Sequence, residues 1–382
     1  MTAQQSARAA TVSDGDLLHT GPGTVAGRYM RRFWQPVQRS EDLPVGHARP
    51  VKILGQDFTL YRGESGRAQA VGFRCAHRGA RLSLGFVEGE ALRCFYHGWQ
   101  FAPSGTCLER PAEKTPPSDR HRIPSYPTEE YLGLVFVYLG EGPPPPLPRF
   151  PSMEQEGVRE VTVDILPCNF FFSLENDTLH FAFTHRDLLA AKNLSGVPEV
   201  WAEESAFGIT NYAKWPNRKS IGVAQKGMPN IGYIVPTAIL LAKGTAHALH
   251  TSWRVPVDDE SHVTYRVNLT TVTGAEAQRL VDSRPPSYYD RSSIRALGDA
   301  VLAGKVRLQD IEDRTHIEFI QDYVVQVGQG PIDTRADENL ASSDSVVVLL
   351  RKIWRREIQA MLTGGKMKEW RLDAALEPAT ML

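Results

Sequence analysis

Cysteine is scarce in this chain, four among 382 residues, which excludes a disulfide-stapled secreted scaffold and suits a reducing compartment. No apolar stretch is long enough to span a membrane, and the polar start Met1 to Ala10 lacks a hydrophobic signal core. The default compartment is the cytoplasm. Charge of either sign is also missing in excess: the formal net charge is -1, and no run of Lys and Arg stands out. Neither nucleic acid nor an anionic membrane is expected as a partner. There is no Gly-rich dinucleotide loop and no plant-type ferredoxin cysteine spacing. What remains is an ordinary globular composition, 42% hydrophobic and 23% charged, on a chain long enough for two or three domains.

Two of the four cysteines carry the most information. Cys75-Ala76-His77 and Cys94-Phe95-Tyr96-His97 form C-x-H and C-x2-H pairs separated by sixteen residues, the ligand pattern of a Rieske 2Fe-2S centre. Two thiolates hold one iron and two neutral imidazoles hold the other, which raises the potential above that of an all-thiolate cluster. Arg78-Gly79-Ala80 and Gly98-Trp99 follow the pairs, supplying glycines for tight turns and an aromatic shield. A structural zinc finger would group like ligands, C-x2-4-C and H-x3-5-H, and the mixed order here does not fit one. Cys107 and Cys168 are expected to be packed thiols.

The chain divides by composition. Residues 1–26 read as a leader, partly mobile up to residue 20. Residues 27–141 carry short strands punctuated by glycine, such as 51–54, 58–61, 92–95 and 132–139, and predict an all-β domain with the cluster at the tips of two loops. Residues 142–151, with Gly142-Pro143-Pro144-Pro145-Pro146-Leu147-Pro148, form a stiff linker. Residues 152–382 mix types: a strand at 161–166, helix around 170–190, β-rich segments near 208–255 and 262–273, and helix near 296–323. A last helix begins after Ser343-Asp344. Leu350, Trp354, Ile358 and Met361 share its apolar face, Gly364-Gly365 ends it, and Arg351, Lys352, Arg355 and Arg356 are expected on a solvated basic face.

Chemistry concentrates again in Glu175-Asn176-Asp177-Thr178-Leu179-His180-Phe181-Ala182-Phe183-Thr184-His185. Two histidines and a carboxylate are the ligands of non-haem Fe(II) oxygenases. On a straight helix positions five apart are rotated by about 140° and cannot chelate together, so a break or bulge is expected near Phe181 to Thr184. Asp177, three residues before His180, is better placed to hydrogen-bond that imidazole than to bind iron. The third ligand must lie elsewhere. Asp313 is the first candidate, with Asp310, Glu312, Glu318 and His316 competing. His247 and His250, on opposite sides of a strand, are assigned to packing or hydrogen bonding.

Together these motifs resemble the oxygenase α subunits of the Rieske non-haem iron oxygenases over nearly the whole length, and most closely the phthalate 4,5-dioxygenase group. The resemblance also rests on Gly21-Pro22-Gly23, on Met30-Arg31-Arg32-Phe33-Trp34-Gln35-Pro36, on Glu312-Asp313 with Glu318, and on Gly328-Gln329-Gly330-Pro331-Ile332 leading to Arg335, Glu338, Asn339, Leu340 and Asp344. It implies an α+β chain: an N-terminal all-β Rieske domain, then a catalytic domain of the helix-grip type, an antiparallel sheet packed with helices. It implies Asp313 as the third Fe(II) ligand beside His180 and His185. It further implies a homotrimer in which Asp177 bridges His180 to His97 of the neighbouring subunit. Electrons would come from NADH through a separate flavin and iron-sulfur reductase, or through a ferredoxin. The first motif departs from many relatives by having alanine between the ligands, which gives up rigidity without a clash.

The expected reaction is oxygenation of an aromatic or related small organic substrate, by dihydroxylation, monohydroxylation or oxidative O- or N-dealkylation. A carboxylate substrate calls for a buried cation, for which Arg218 and Arg254 are candidates; Ile231 to Leu241 equally suits a neutral one. The rival explanations are a pure electron-transfer protein and a zinc-dependent hydrolase.

Overall fold

The computed structural model describes residues 11–371 apart from 177–182, 192, 220, 233–236, 242–243, 286–287, 289–290 and 313. The N-terminal part consists of small antiparallel sheets. Ala48–Ile53, Gln56–Arg62, Ala68–Gly72 and Ser125–Tyr126 form one; Phe86–Glu88, Ala91–Arg93, Gln100–Phe101 and Cys107–Glu109 form a second; Gln35–Arg39, Leu134–Val137 and Thr128–Tyr131 form a third, in that order across each sheet. Two hairpins close through Leu54-Gly55 and Leu132-Gly133, all four with positive φ. That backbone matches the twist of the flanking strands, and glycine adopts it without penalty.

The larger sheet runs Val158–Leu166, His262–Thr270, Gly244–Pro256, Ile231–Gly232, Ile221–Gly227, Gly208–Lys214 and Glu199–Glu204, all antiparallel, with Thr237–Leu241 paired to Gly244–Pro256. Its register sorts the side chains by chemistry. Trp253, Tyr265 and Val163 share a row, and Thr251, Val267 and Val161 share another on the same face. Arg254, Thr264 and Asp164, then Ser252, Arg266 and Thr162, line the opposite face. The apolar face meets the N-terminal sheets, where Trp253 packs edge-on against Phe136 at 5.5 Å. Backbone bonds from Leu54 to Pro256 (2.7 Å) and Gly55 to Val257 (2.9 Å) tie the same junction.

The helices among the described residues are α1 (Val25–Met30), α2 (Phe170–Asn176), α3 (Arg186–Ala191), α4 (Gly274–Asp282), α5 (Ser292–Leu302), α6 (Ile317–Gly328) and α7 (Ser345–Thr363); α2 packs on Gly244–Pro256, and α7 on Glu199–Glu204 and Gly208–Lys214. On α7, Leu350, Trp354 and Ile358 are buried as their spacing predicts, and Gly364 ends the helix with φ 69°. Trp354 gathers three helices, lying 5.2 Å from Tyr29 of α1 and 5.2 Å from Phe171 of α2.

Within the segment read as a leader, Val12, Leu17, Leu18 and Thr20 are buried, the apolar members packing into the main core. One expectation is corrected. Arg351 is not on a solvated face. It is buried and paired with Glu175 of α2 (2.7 Å) and Glu338 (2.7 Å), which substitute for water around its guanidinium.

Candidate metal centres

The segments around the two Cys-His pairs fold as near copies of one turn. In the first, the Cys75 amide bonds the Ala80 carbonyl (2.8 Å) and the Gly79 amide bonds the Cys75 carbonyl (2.9 Å). In the second, Cys94 bonds Trp99 (2.8 Å) and Gly98 bonds Cys94 (3.0 Å). Gly79 and Gly98 take φ of 72° and 75°, which a β-carbon would strain. The arginine before each cysteine closes its loop: Arg74 donates to the Gly79 carbonyl (3.1 Å) and Arg93 to the Gly98 carbonyl (2.7 Å). Sequence reasoning missed both arginines, although the repeated Arg-Cys-x3-Gly signals them.

Mixed in sequence, the four ligand candidates are sorted in space. Cys75 and Cys94 are buried in one small core with Leu82, Leu92, Trp99 and Phe101, and their side chains touch. His77 and His97 are exposed, with ring centroids 4.6 Å apart. Burial pushes the Cys75 thiol up to about 12, and the adjacent Cys94 adds to the rise. At that position the Cys75 thiol is poorly ionised until a metal takes it. A sulfur pair inside and a nitrogen pair outside is the donor arrangement a Rieske cluster requires, one iron to each pair. The residues fit the group.

A layered support stands behind His77. Its ring lies flat on the Trp99 indole, centroids 4.8 Å apart and planes at 5°. Trp99 meets the edge of His121 at 5.3 Å, and the Arg110 guanidinium lies over it at 5.4 Å. Around this tip, Phe95, Tyr96, Leu84 and Phe86 are exposed.

For the second centre, α2 is held firmly at both ends. The Asn169 side chain accepts from the Phe171 amide (3.0 Å) and donates to the Leu18 (2.9 Å) and Asp259 (2.7 Å) carbonyls. At the far end the buried Lys226 ammonium donates to the Leu174 carbonyl, and Glu175 is paired with Arg351 and Arg335. Asp177 and His180 lie outside the described residues, as does half of the expected break, and so does Asp313. His185 occupies a separate turn, Phe183–His185.

The surroundings of His185 suit a metal-facing imidazole. Nδ1 is 2.7 Å from Gln321 Oε1, which accepts its proton. Nε2 is 3.0 Å from Asp322 Oδ1, which also accepts from the Asn176 amide (3.2 Å). Burial works to lower the His185 pKa, but Asp322, with Gln321 and Glu318, outweighs it and the net direction is upward. Asp322 and Gln321 escaped sequence reasoning, since one turn of α6 beyond Glu318 carries no motif. Among the competitors for the third ligand, Asp310 ends a 3-10 turn, His316 is buried at the start of α6, and Glu318 lies in its first turn.

The two arginine candidates part company. Arg218 is exposed on the turn after Gly208–Lys214, its amide bonded to the Trp215 carbonyl (3.1 Å). Arg254 is buried on the polar face, where Nε bonds Ser173 of α2 (3.3 Å) and Nη1 bonds Ser252. Nearby, Asp164 holds Arg266 (2.9 Å) and Arg291 (2.8 Å), and both guanidiniums lie over Phe319 of α6. His250 bonds Asn268 (2.7 Å), in keeping with a hydrogen-bonding role. No helix among the described residues is long and apolar enough to cross a membrane.

Comparison with known proteins agrees with this geometry. Residues 33–127 match the model of the Rieske [2Fe-2S] domain. The chain is 30% identical over 377 residues to the 5,5'-dehydrodivanillate O-demethylase oxygenase subunit of Sphingobium sp. (strain NBRC 103272 / SYK-6), covering 96% of this chain and 84% of that one. It is 32% identical over 381 residues to the phenoxybenzoate dioxygenase subunit alpha of Ectopseudomonas oleovorans, covering 92% and 86%. Among solved structures it is similar to NdmB of Pseudomonas putida CBB5, with TM-score 0.64 and 21% identity over 88% of this chain and 93% of that one, which speaks for the fold.

Proposed function

The chain belongs to the Rieske oxygenases as a terminal oxygenase subunit, and from that premise we propose that it oxidises an aromatic carboxylate or a close relative of one. In this proposal Cys75, His77, Cys94 and His97 hold the 2Fe-2S cluster, and His180, His185 and Asp313 hold Fe(II). The observation that carries it is the sorting of the Cys75/Cys94 and His77/His97 pairs. When bound, the cluster supplies electrons one at a time and the Fe(II) supplies dioxygen activation.

This chain's own residues do the rest. Gln321 fixes the tautomer of His185, and Lys226 with the Glu175 ion pairs fixes the end of α2 from which the Asp177 segment departs. Asp177 couples His180 to His97 of a neighbouring subunit in a homotrimer, accepting from both rings. Electrons arrive from NADH through a separate reductase, in the cytoplasm. Support for the separate partner comes from the relatives, which are themselves named as subunits.

Arg254 is the proposed partner of the substrate carboxylate, because it alone of the two candidates is buried beside α2. The relative named as an O-demethylase favours a second outcome on the same scaffold, in which a methoxy carbon is oxidised and lost. Turnover with labelled dioxygen tests both. We expect label in the hydroxylated products of benzoate-type substrates, release of formaldehyde with an unlabelled phenol from methoxybenzoates, and a KM raised at least tenfold by Arg254→Met with these and not with neutral analogues. Label from water alone contradicts the oxygenase.

A further inference from the structure

We propose that Arg110 sets the reduction potential of the cluster through Trp99 and His77, as a buried positive charge. The inference rests on the assignment of His77 to the cluster. Arg110 is 8% exposed, and its Nη2 donates to the Thr115 carbonyl (2.6 Å), the Thr115 hydroxyl (3.0 Å) and the Pro116 carbonyl (3.0 Å). Its Nη1 is 3.4 Å from His121 Nε2. None of these partners is a carboxylate, so among the described residues its charge is held in place by carbonyl and hydroxyl dipoles without a side-chain ion pair. A charge in a poorly polarisable interior acts over a longer range than one in water.

The stack gives that charge a short route to the cluster. Arg110 and His77 both lie against the Trp99 indole, at 5.4 Å and 4.8 Å. Pro111, the next residue, would meet a β-carbon on Gly98 at 3.2 Å, so the Arg110 segment is packed directly on the second cluster loop. Reduction adds one negative charge to the cluster. A fixed cation nearby stabilises the reduced form and raises the potential. The exposed arginines around the tip, Arg74, Arg78 and Arg81, are screened by water and salt, whereas Arg110 is not.

The test compares the holoenzyme with its Arg110→Met and Arg110→Lys variants by anaerobic redox titration followed by visible circular dichroism, at low and high salt, with iron and sulfide assayed on each. Arg110→Met is expected to keep the cluster and shift its midpoint to more negative values at both salt concentrations. Arg110→Lys should stay close to the parent. An unchanged midpoint in Arg110→Met overturns the proposal. So does an equal shift in Arg110→Lys, which would indicate packing, or loss of the cluster from both variants, which would make Arg110 a structural clamp. Absence of a Rieske signal from the parent would instead overturn the cluster assignment itself.

Discussion

The His77 imidazole lies parallel to the Trp99 indole, 4.8 Å from it and tilted by 5°. Trp99 is itself 7% exposed, so it closes the space behind an otherwise exposed imidazole that is proposed to hold the cluster. Trp99→Leu should leave the protein folded but admit water and oxygen to that side, and its visible absorbance should bleach several-fold faster in air. A decay equal to that of the parent would remove the shielding role.

Glu175 is buried between Arg351 and Arg335 one residue before the Asn176-Asp177 motif. Removing its charge leaves Arg351 and Arg335 to share Glu338, at a cost of about 1–3 kcal/mol. Glu175→Gln should therefore lower the unfolding midpoint in urea by a matching amount and weaken Fe(II) retention, since α2 leads into the proposed ligand segment. Chelator competition reads the second effect. An iron off-rate like the parent's would confine Glu175 to stability.

His262 is fully buried, donates from Nδ1 to the Cys168 carbonyl (2.9 Å), and has no partner for Nε2 among the described residues. Burial lowers its pKa to about 4, helped by Arg254 and opposed by the Cys168 carbonyl and Asp164. A folded value below the unfolded one near 6.5 means that the unfolded chain takes up the proton first. The contribution is therefore complete above pH 6.5 and lost as pH falls toward 4, up to about 3 kcal/mol in all. Urea denaturation across this window should show a shallower pH dependence in His262→Gln than in the parent; equal slopes would contradict the assignment.

The two Cys-His loops were legible in the sequence because the paired Cys and His mark them, and the turn dictates Gly79 and Gly98. The faces of α7 were legible in part. Helical spacing located Trp354, but it could not foresee that Arg351 meets Glu175, a residue far back in the chain, and so placed a buried cation in solvent. Arg110 and His121 were invisible for the same reason, since only folding sets them against Trp99. The alternation of the large sheet hid its function too: a buried polar face under α2 and α6 reads, along any one strand, like an ordinary solvated one. Asp177, His180 and Asp313 stand on sequence pattern and resemblance, while His185 also has its Gln321 and Asp322 contacts.

Asp177→Asn should keep both metals and lose most electron transfer between them, because the amide replaces one acceptor oxygen with an NH2 donor and carries no charge to couple the two imidazoles. Reduced enzyme mixed once with oxygen and substrate reads this directly. Product formation at the parent's rate would count against the bridge.

The account depends most on there being two separate iron centres in one chain. Iron and acid-labile sulfide should be counted in the parent and in His185→Ala, alongside electron paramagnetic resonance of the dithionite-reduced protein. The prediction is about three irons and two sulfides per chain in the parent, falling to about two irons in the variant with the Rieske signal unchanged. Two irons in both proteins, or loss of the Rieske signal on changing His185, would contradict it.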